Sequence, residues 1–434
     1  MKKHFFLSMV LLGWLCMSCE SMNHEENNST FMNEQINENT ISKQEAITNA
    51  KQFLNSQSTV TKSQTDSLIP EVQTIFRPIS IQGQQQIAYS ISNEDYENIP
   101  VYIINFKTTT GEKKGFVVEV GDKRVLGKVL AYSDTGMWDM SGLPEFEHIF
   151  FEQTDKFISQ SINEYQTDFA SAVDPCDTGL FQEITRTTTK KCPMNLTWGQ
   201  SPSPYNDSLP TCASTSQKDP AGCVAVAVAQ IMAYHQKPTS GSYIHPVNMK
   251  TRNTTYNWTG MKSVADAKKL TNTTYRSQVA NLLAEIGDKC TMSYGCNGSG
   301  SNIYYAYDAF TLMGYNINML IGSYNFSKVK ADIDSNRPVY MRGIRTGDVG
   351  HAWVVEGYQT KDWAEKMVRE CPNSPIEESY TGESGTNYYL YFNLGWNGSS
   401  NGYYLVTTTS AYTSGSFLYT SDMMTITNIK PNFT

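Results

Sequence analysis

The stretch Cys223 to His235, CVAVAVAQIMAYH, is apolar nearly all the way round. A helix with no polar face has to run through the middle of a domain, covered on every side. The alternation VAVAVA also fits a strand. Gly222 just ahead, continuation through Gln230-Ile-Met-Ala and Pro238 beyond the end favour the helix. A cysteine in its first turn sits among unsatisfied backbone N–H groups and at the positive end of the helix dipole, both of which stabilise a thiolate. Cys223 is therefore placed to be a nucleophile, against the plainer reading of a small buried apolar residue.

A nucleophilic thiolate needs a base, and the chain has six histidines. His4 lies in an apolar leader, His24 in a polar tether and His148 in the first half of the chain. His235 is on the same helix as Cys223, roughly 18 Å away at about 1.5 Å per residue, too far to reach the sulfur. His245 sits in a Tyr-Ile-His-Pro loop and reads as structural. His351 opens the run His-Ala-Trp-Val-Val-Glu-Gly-Tyr directly after Gly350, at the start of a strand, and is the base by elimination.

A chain of 434 residues is comfortable for two domains. Residues 42–56 have a Ser N-cap, Glu45 three residues on, and Ala46, Ile47, Ala50, Phe53 and Leu54 on one helical face. From Val101 three β-rich runs are separated by turns at Gly111 and Gly121-Asp122, predicting an antiparallel meander. A helix is expected over 152–165. Residues 185–191, polar, basic and without periodicity, read as an exposed linker open to proteolysis. Beyond it, helices are expected at 277–286 and 303–313 and strands at 338–343, 351–358, 388–394 and 403–408. The second domain is thus α+β with a mostly sheet-forming later half.

Lys2 and Lys3 followed by the apolar run from Phe5 to Leu15 form an export signal. Ser18-Cys19 resembles the end of a bacterial lipobox, which implies a diacylated Cys19 and attachment to a membrane through that lipid; Cys16 stands where Leu or Val is usual. The following residues, rich in Asn and Glu, read as a polar tether. The expected organisation is signal peptide 1–18, tether 19–40, first domain 41–184, linker 185–191 and second domain 192–434. A net charge of −8 with no Lys/Arg-dense stripe makes nucleic acid a poor partner. Nine cysteines less Cys16 and Cys19 leave an odd number, so at least one thiol in an exported chain is free or bridges two molecules. No zinc-type spacing of Cys and His occurs, so neither a structural metal nor a cofactor is indicated.

The motifs also resemble a family, the streptopain-type cysteine peptidases with papain-like folds, from about Ala46 to the end. Ala-Gly-Cys223-Val-Ala-Val-Ala-Val-Ala-Gln-Ile-Met-Ala-Tyr-His is similar to that family's nucleophile helix, and Gly350-His351-Ala-Trp-Val-Val to its histidine strand. Trp198-Gly-Gln200 with Pro204-Tyr-Asn206 resembles the segment of its oxyanion-hole glutamine; Tyr256-Asn-Trp258, Ser293-Tyr-Gly295 and Asn393-Leu-Gly-Trp396-Asn-Gly follow in the expected order. Gly115-Phe-Val-Val, Gly121-Asp-Lys-Arg124 and Ala131-Tyr-Ser133 resemble its inhibitory pro-segment. The resemblance implies an α+β papain-like catalytic domain, a buried nucleophile helix on an antiparallel sheet, preceded by a smaller α+β pro-domain that is an intramolecular inhibitor until cleaved away. It implies an endopeptidase for protein or peptide substrates, with an apolar pocket for the residue two positions before the scissile bond. By the same route Gln200 and the Cys223 N–H would hold the oxyanion, Asn393 would orient His351, and Gly350, Ser299 and Trp396 would contact substrate. The family's Asn-Trp-Gly-Trp is here Asn393-Leu394-Gly395-Trp396, so one aromatic beside the histidine is missing. Two other readings use the same residues: a surface lipoprotein that binds without catalysing, and an acyl transferase in which an amine replaces water.

Overall fold

The computed structural model describes residues 38–57, 65–81, 96–169, 177–344, 350–369, 374–408 and 423–432. The leader, the tether to residue 37, Cys19, Cys176 and Cys371 lie outside them. Helix α1, Lys43–Gln57, starts at Ser42, whose Oγ accepts from the Glu45 N–H at 3.1 Å, and buries Ala46, Ala50 and Leu54 one turn apart. That stripe lies on a four-stranded antiparallel meander of β1 (Ile69–Ser80), β2 (Tyr96–Lys107), β3 (Lys113–Val120) and β4 (Val129–Ser133). Helix α2, Pro144–Phe169, is longer than expected because it begins at a proline, tolerated in a first turn whose N–H groups have no helical partner, with Glu145 and Glu147 at its positive end.

Strand β5, Asp177–Lys191, corrects one expectation. Residues 185–191 are not an irregular linker but the end of a strand paired antiparallel with β10, Gly350–Arg369, in a register that sets Lys191 opposite Gly357. Threonines 185, 187, 188 and 189 supply the β preference. The segment is exposed, as expected, so no apolar alternation marks it.

Helix α3 spans Cys223–His235, and every residue from Val224 to Ala233 is buried. After it come the hairpin of β6 (Ser240–Ile244) and β7 (Thr251–Thr255), α4 (Thr273–Lys289), α5 (Ile303–Leu312), β8 (Leu320–Ser323), α6 (Phe326–Asp334) and β9 (Val339–Ile344). Strands β10, β11 (Glu377–Asn393), β12 (Gly402–Val406) and β13 (Met424–Thr427) complete the chain. The expected strands at 351–358 and 388–394 are the inner ends of far longer β10 and β11, whose outer parts pair with each other and with β5 in a mostly solvated arm.

All strands but the β6–β7 hairpin belong to one 11-stranded sheet in the order β1-β2-β3-β4-β12-β11-β10-β9-β13-β8, with β5 also on β10. The α+β expectation is borne out. The meander joins the later strands through β4 and β12, where Tyr132 pairs with Tyr403 and Ala131 with Tyr404.

Near that join Lys361 of β10 is buried among rings, its Nζ 3.8 Å from the Phe53 centroid, 4.8 Å from Tyr132 and 5.1 Å from Tyr389. Its Nζ has no hydrogen-bond partner among the described residues. Burial pushes the ammonium down from 10.5 to about 6. Between these values the unfolded chain holds a proton that the folded chain has shed, so stability rises with pH across that window and the penalty is complete below it. Lys361→Met is expected to melt above the wild type at pH 6, with the gap narrowing toward pH 9. Identical melting curves at both pH values would mean that Lys361 carries no such penalty.

Candidate active site

Cys223 is the first residue of α3 and follows Gly222, whose φ of 87° belongs to the region that glycine tolerates. A Cβ at Gly222 would lie 2.8 Å from the Ser299 carbonyl oxygen and 2.9 Å from Met292 Sδ, so only glycine lets the chain pass here. The thiol is unpaired and half-buried. Burial pushes it above 9.0, opposed by the backbone N–H groups of Ala352, Val224 and Cys223 itself, while the nearby Glu145 carboxylate pushes it further up.

His351 is the second residue of β10, paired with Gly343 of β9, and its side chain is 5% exposed. Its ring stacks on Trp353, interplanar angle 15° with centroids 6.0 Å apart, and takes the edge of Phe146 from α2 at 6.2 Å. Nε2 makes a 2.9 Å hydrogen bond with the Leu394 carbonyl oxygen. This enclosure pushes the imidazole down from 6.5 to about 4 despite the Leu394 carbonyl and the Glu145 charge. No hydrogen bond joins His351 to Cys223 among the described residues. Burial thus favours the uncharged form of both the thiol and the imidazole over an ion pair.

A cavity of about 520 Å³ collects residues from well-separated stretches: Gln200, Cys223, Ser299, Gly350, His351 and Trp396 all line it. Gln200 is 8% exposed and its carbonyl accepts from the Ala221 N–H at 2.9 Å, which ties its backbone to the residue two positions before Cys223. Ser299 Oγ accepts from the Gly295 N–H at 3.4 Å, in a loop tied down by the Cys212–Cys296 disulfide. Cys192 and Cys290 are buried free thiols. Among the described residues the one group with metal-ligand chemistry is Cys212, Asp219 and Cys296, two of which form that disulfide.

Asn393 is placed differently from the role expected of it. It is completely buried and its Nδ2 donates to the Leu196 carbonyl at 2.8 Å, while Oδ1 accepts from the Gly395 N–H at 3.4 Å. The contact to the imidazole comes from the next residue's backbone, and the Leu394 N–H is itself held by Asn401 Oδ1 at 2.9 Å. Nothing in a side-chain motif signals a carbonyl. The resemblance implies that the first domain folds against the cleft, but no motif singles out the residues that do so here: Gly142, Leu143 and Glu145 line the same cavity. A Cβ on Gly142 would fall 2.0 Å from Trp396 Nε1, so the chain passes directly over the indole.

Comparison with known proteins gives two family matches: the Peptidase C10 family over residues 198–404 and the Spi protease inhibitor family over 38–158. Streptopain of Streptococcus pyogenes is 25% identical over 339 residues, which cover 70% of this chain and 73% of streptopain. The thiol protease/hemagglutinin PrtT of Porphyromonas gingivalis is 24% identical over 335 residues, 68% of this chain and 33% of that protein. A prointerpain A fragment from Prevotella intermedia overlays with a TM-score of 0.49 at 19% identity, covering 81% of this chain and 98% of the fragment.

In the full-length chain, Cys223 alkylation by iodoacetamide is expected to keep rising through pH 9, since only thiolate reacts and burial holds the thiol above that value. A plateau reached below pH 7, read by peptide mass at Cys223, would mean that a thiolate–imidazolium pair already exists.

Proposed function

Because this chain belongs to the Peptidase C10 family, a cysteine peptidase with a Spi-type inhibitor domain ahead of the peptidase domain, we propose that it is an exported endopeptidase made latent, with Cys223 as nucleophile and His351 as general base and acid. The observation that carries this reading is the shared cavity: Gln200, Cys223, Gly350, His351 and Trp396 meet there, and Gly142, Leu143 and Glu145 of the inhibitor side form part of its wall.

In the active form His351 takes the Cys223 proton, and the thiolate attacks the scissile carbonyl. The oxyanion is held by the Gln200 side-chain amide and the Cys223 N–H; one such donor is worth roughly 3–4 kcal/mol in the transition state. The imidazolium gives its proton to the leaving amine. Water, deprotonated by His351, then clears the thioester and returns the thiol. The Leu394 carbonyl holds the imidazole through Nε2, the task a side-chain acceptor performs elsewhere.

Latency follows from the same contacts. While Phe146 packs on His351 and Gly142 covers Trp396, the imidazole is too dry to carry charge and the cleft is narrowed. We place the inhibitory domain at 41–184 and the peptidase at 192–434, with activation by a cut near 185–191. That stretch must leave β10 first, because a peptidase binds its substrate as an unpaired extended chain. Export by the leader and anchoring through Cys19 complete the proposal; no described helix is long and apolar enough to cross a membrane.

Wild type and Cys223→Ala, incubated with a reducing agent, test this by intact mass and casein cleavage. Only the wild type is expected to shorten near 185–191 and then cleave casein. If neither cleaves casein after an added protease has removed the first domain, the peptidase assignment for this chain fails.

A further inference from the structure

Behind the His351 turn lies a buried acid that the chemistry above does not use. Glu356 occupies a β-bulge in β10, where the pairing with β11 slips between Val355 and Gly357. The bulge is also where β10 exchanges one neighbour for another: β9 pairs up to Val355, and β5 takes over from Gly357. Glu356 is 4% exposed. Its Oε1 lies 3.0 Å from Lys191 Nζ, and Oε2 has no hydrogen-bond partner among the described residues. Lys191, the last residue of β5, is the cation on this acid, and it lies over the Tyr391 ring at 3.3 Å from the centroid. The adjoining Cys192 N–H donates to the Glu356 carbonyl at 2.6 Å, so the end of β5 is tied to the bulge by backbone as well.

The other groups facing Glu356 are Asn393, Cys192, Tyr391 and Tyr403. Of these Asn393 matters to the site. Its amide faces the carboxylate but donates to Leu196, and this bond holds the turn whose next carbonyl carries His351. A buried carboxylate stripped of its cation must either take up a proton or capture the nearest donor. The nearest side-chain amide is Asn393. Its second N–H faces the carboxylate, so a stronger pull there would skew Asn393 against its Leu196 bond and shift the Leu394 carbonyl with it.

We propose that the Lys191–Glu356 ion pair positions His351 through the Asn393–Leu394 turn, and hence that activation leaves Lys191 on the peptidase. The inference rests on the peptidase reading above and adds a limit to it: the cut falls on the N-terminal side of Lys191. Lys191 and Glu356 are positioning residues and touch no substrate.

The test uses the full chain, activated under reducing conditions, as wild type, Lys191→Met, Lys191→Arg, Glu356→Gln and the Lys191→Met/Glu356→Gln double variant. For Lys191→Met, kcat is expected to fall about 10- to 100-fold, the scale of a misplaced catalytic group, with KM nearly unchanged. Lys191→Arg should stay close to wild type. The double variant should recover most of the loss, because no unpaired charge remains. The mass of the mature form should include Lys191. Wild-type kcat in Lys191→Met, an equal loss in the single and double variants, or a fully active form beginning at or after Cys192 would each overturn the proposal. Cys223 alkylation in the activated chain reads the imidazole without any substrate: its acid midpoint should move in Lys191→Met and not in Lys191→Arg, and an unmoved midpoint overturns the proposal. A wild type without thiol-dependent hydrolysis counts against the peptidase reading alone, since the alkylation comparison still decides the role of the pair.

Discussion

Helix α3 has no side on which it could face water, and this fixes it more tightly than any single bond. Each fully buried Val or Ile contributes about 1.5–3 kcal/mol relative to exposure, so neither rotation nor translation of the helix is free. Even Gln230 is carried inside, with both polar atoms of its side chain unpartnered among the described residues, at a cost of about 1–3 kcal/mol. Gly395 comes so near that a Cβ would touch Val226 Cγ1 at 3.0 Å. Cys223 is therefore a fixed point. Whatever distinguishes a latent from a working site has to happen in the strand and turns opposite, where His351, Leu394 and Asn393 lie.

The state of those groups is set by what dries them. Trp353 and Phe146 enclose the His351 ring, and only Trp353 belongs to the same part of the chain. Glu145 would by its charge favour imidazolium, yet desolvation outweighs it. Burial is the largest influence on the base, and the edge of Phe146 is part of that enclosure.

How much of this could be read from the sequence depended on whether it was written in side chains. Helix α3 was legible to the residue because an all-round apolar run between Gly222 and Pro238 has few other structures open to it. Cys223 and His351 were singled out by residue type and elimination and Gln200 only by the family resemblance; all three line one cavity. The end of strand β5 was not legible, because residues 185–191 are polar and mostly exposed on both faces and so lack the alternation that betrays a half-buried strand. The hold on His351 was assigned to the Asn393 side chain, whereas the contact is the Leu394 carbonyl, a group every residue carries and no motif can mark. The contribution of Gly142 and of Phe146 in α2 was invisible for a related reason: they act through their closeness to Trp396 and His351, distant in sequence.

The seam between β4 and β12 is only two residue pairs wide, Tyr132 with Tyr403 and Ala131 with Tyr404. The backbone join is narrow, so what holds the two halves together is mostly the shared apolar core, including Phe146 on Trp353, Phe392 and Tyr404. Parting the join leaves β12 with one row of unpaired backbone donors and acceptors, the kind of border that recruits strands from other molecules. Its five residues make that border short, which limits such recruitment. The first half of the chain is thus also a hem, covering an edge of β12 that is only five residues long.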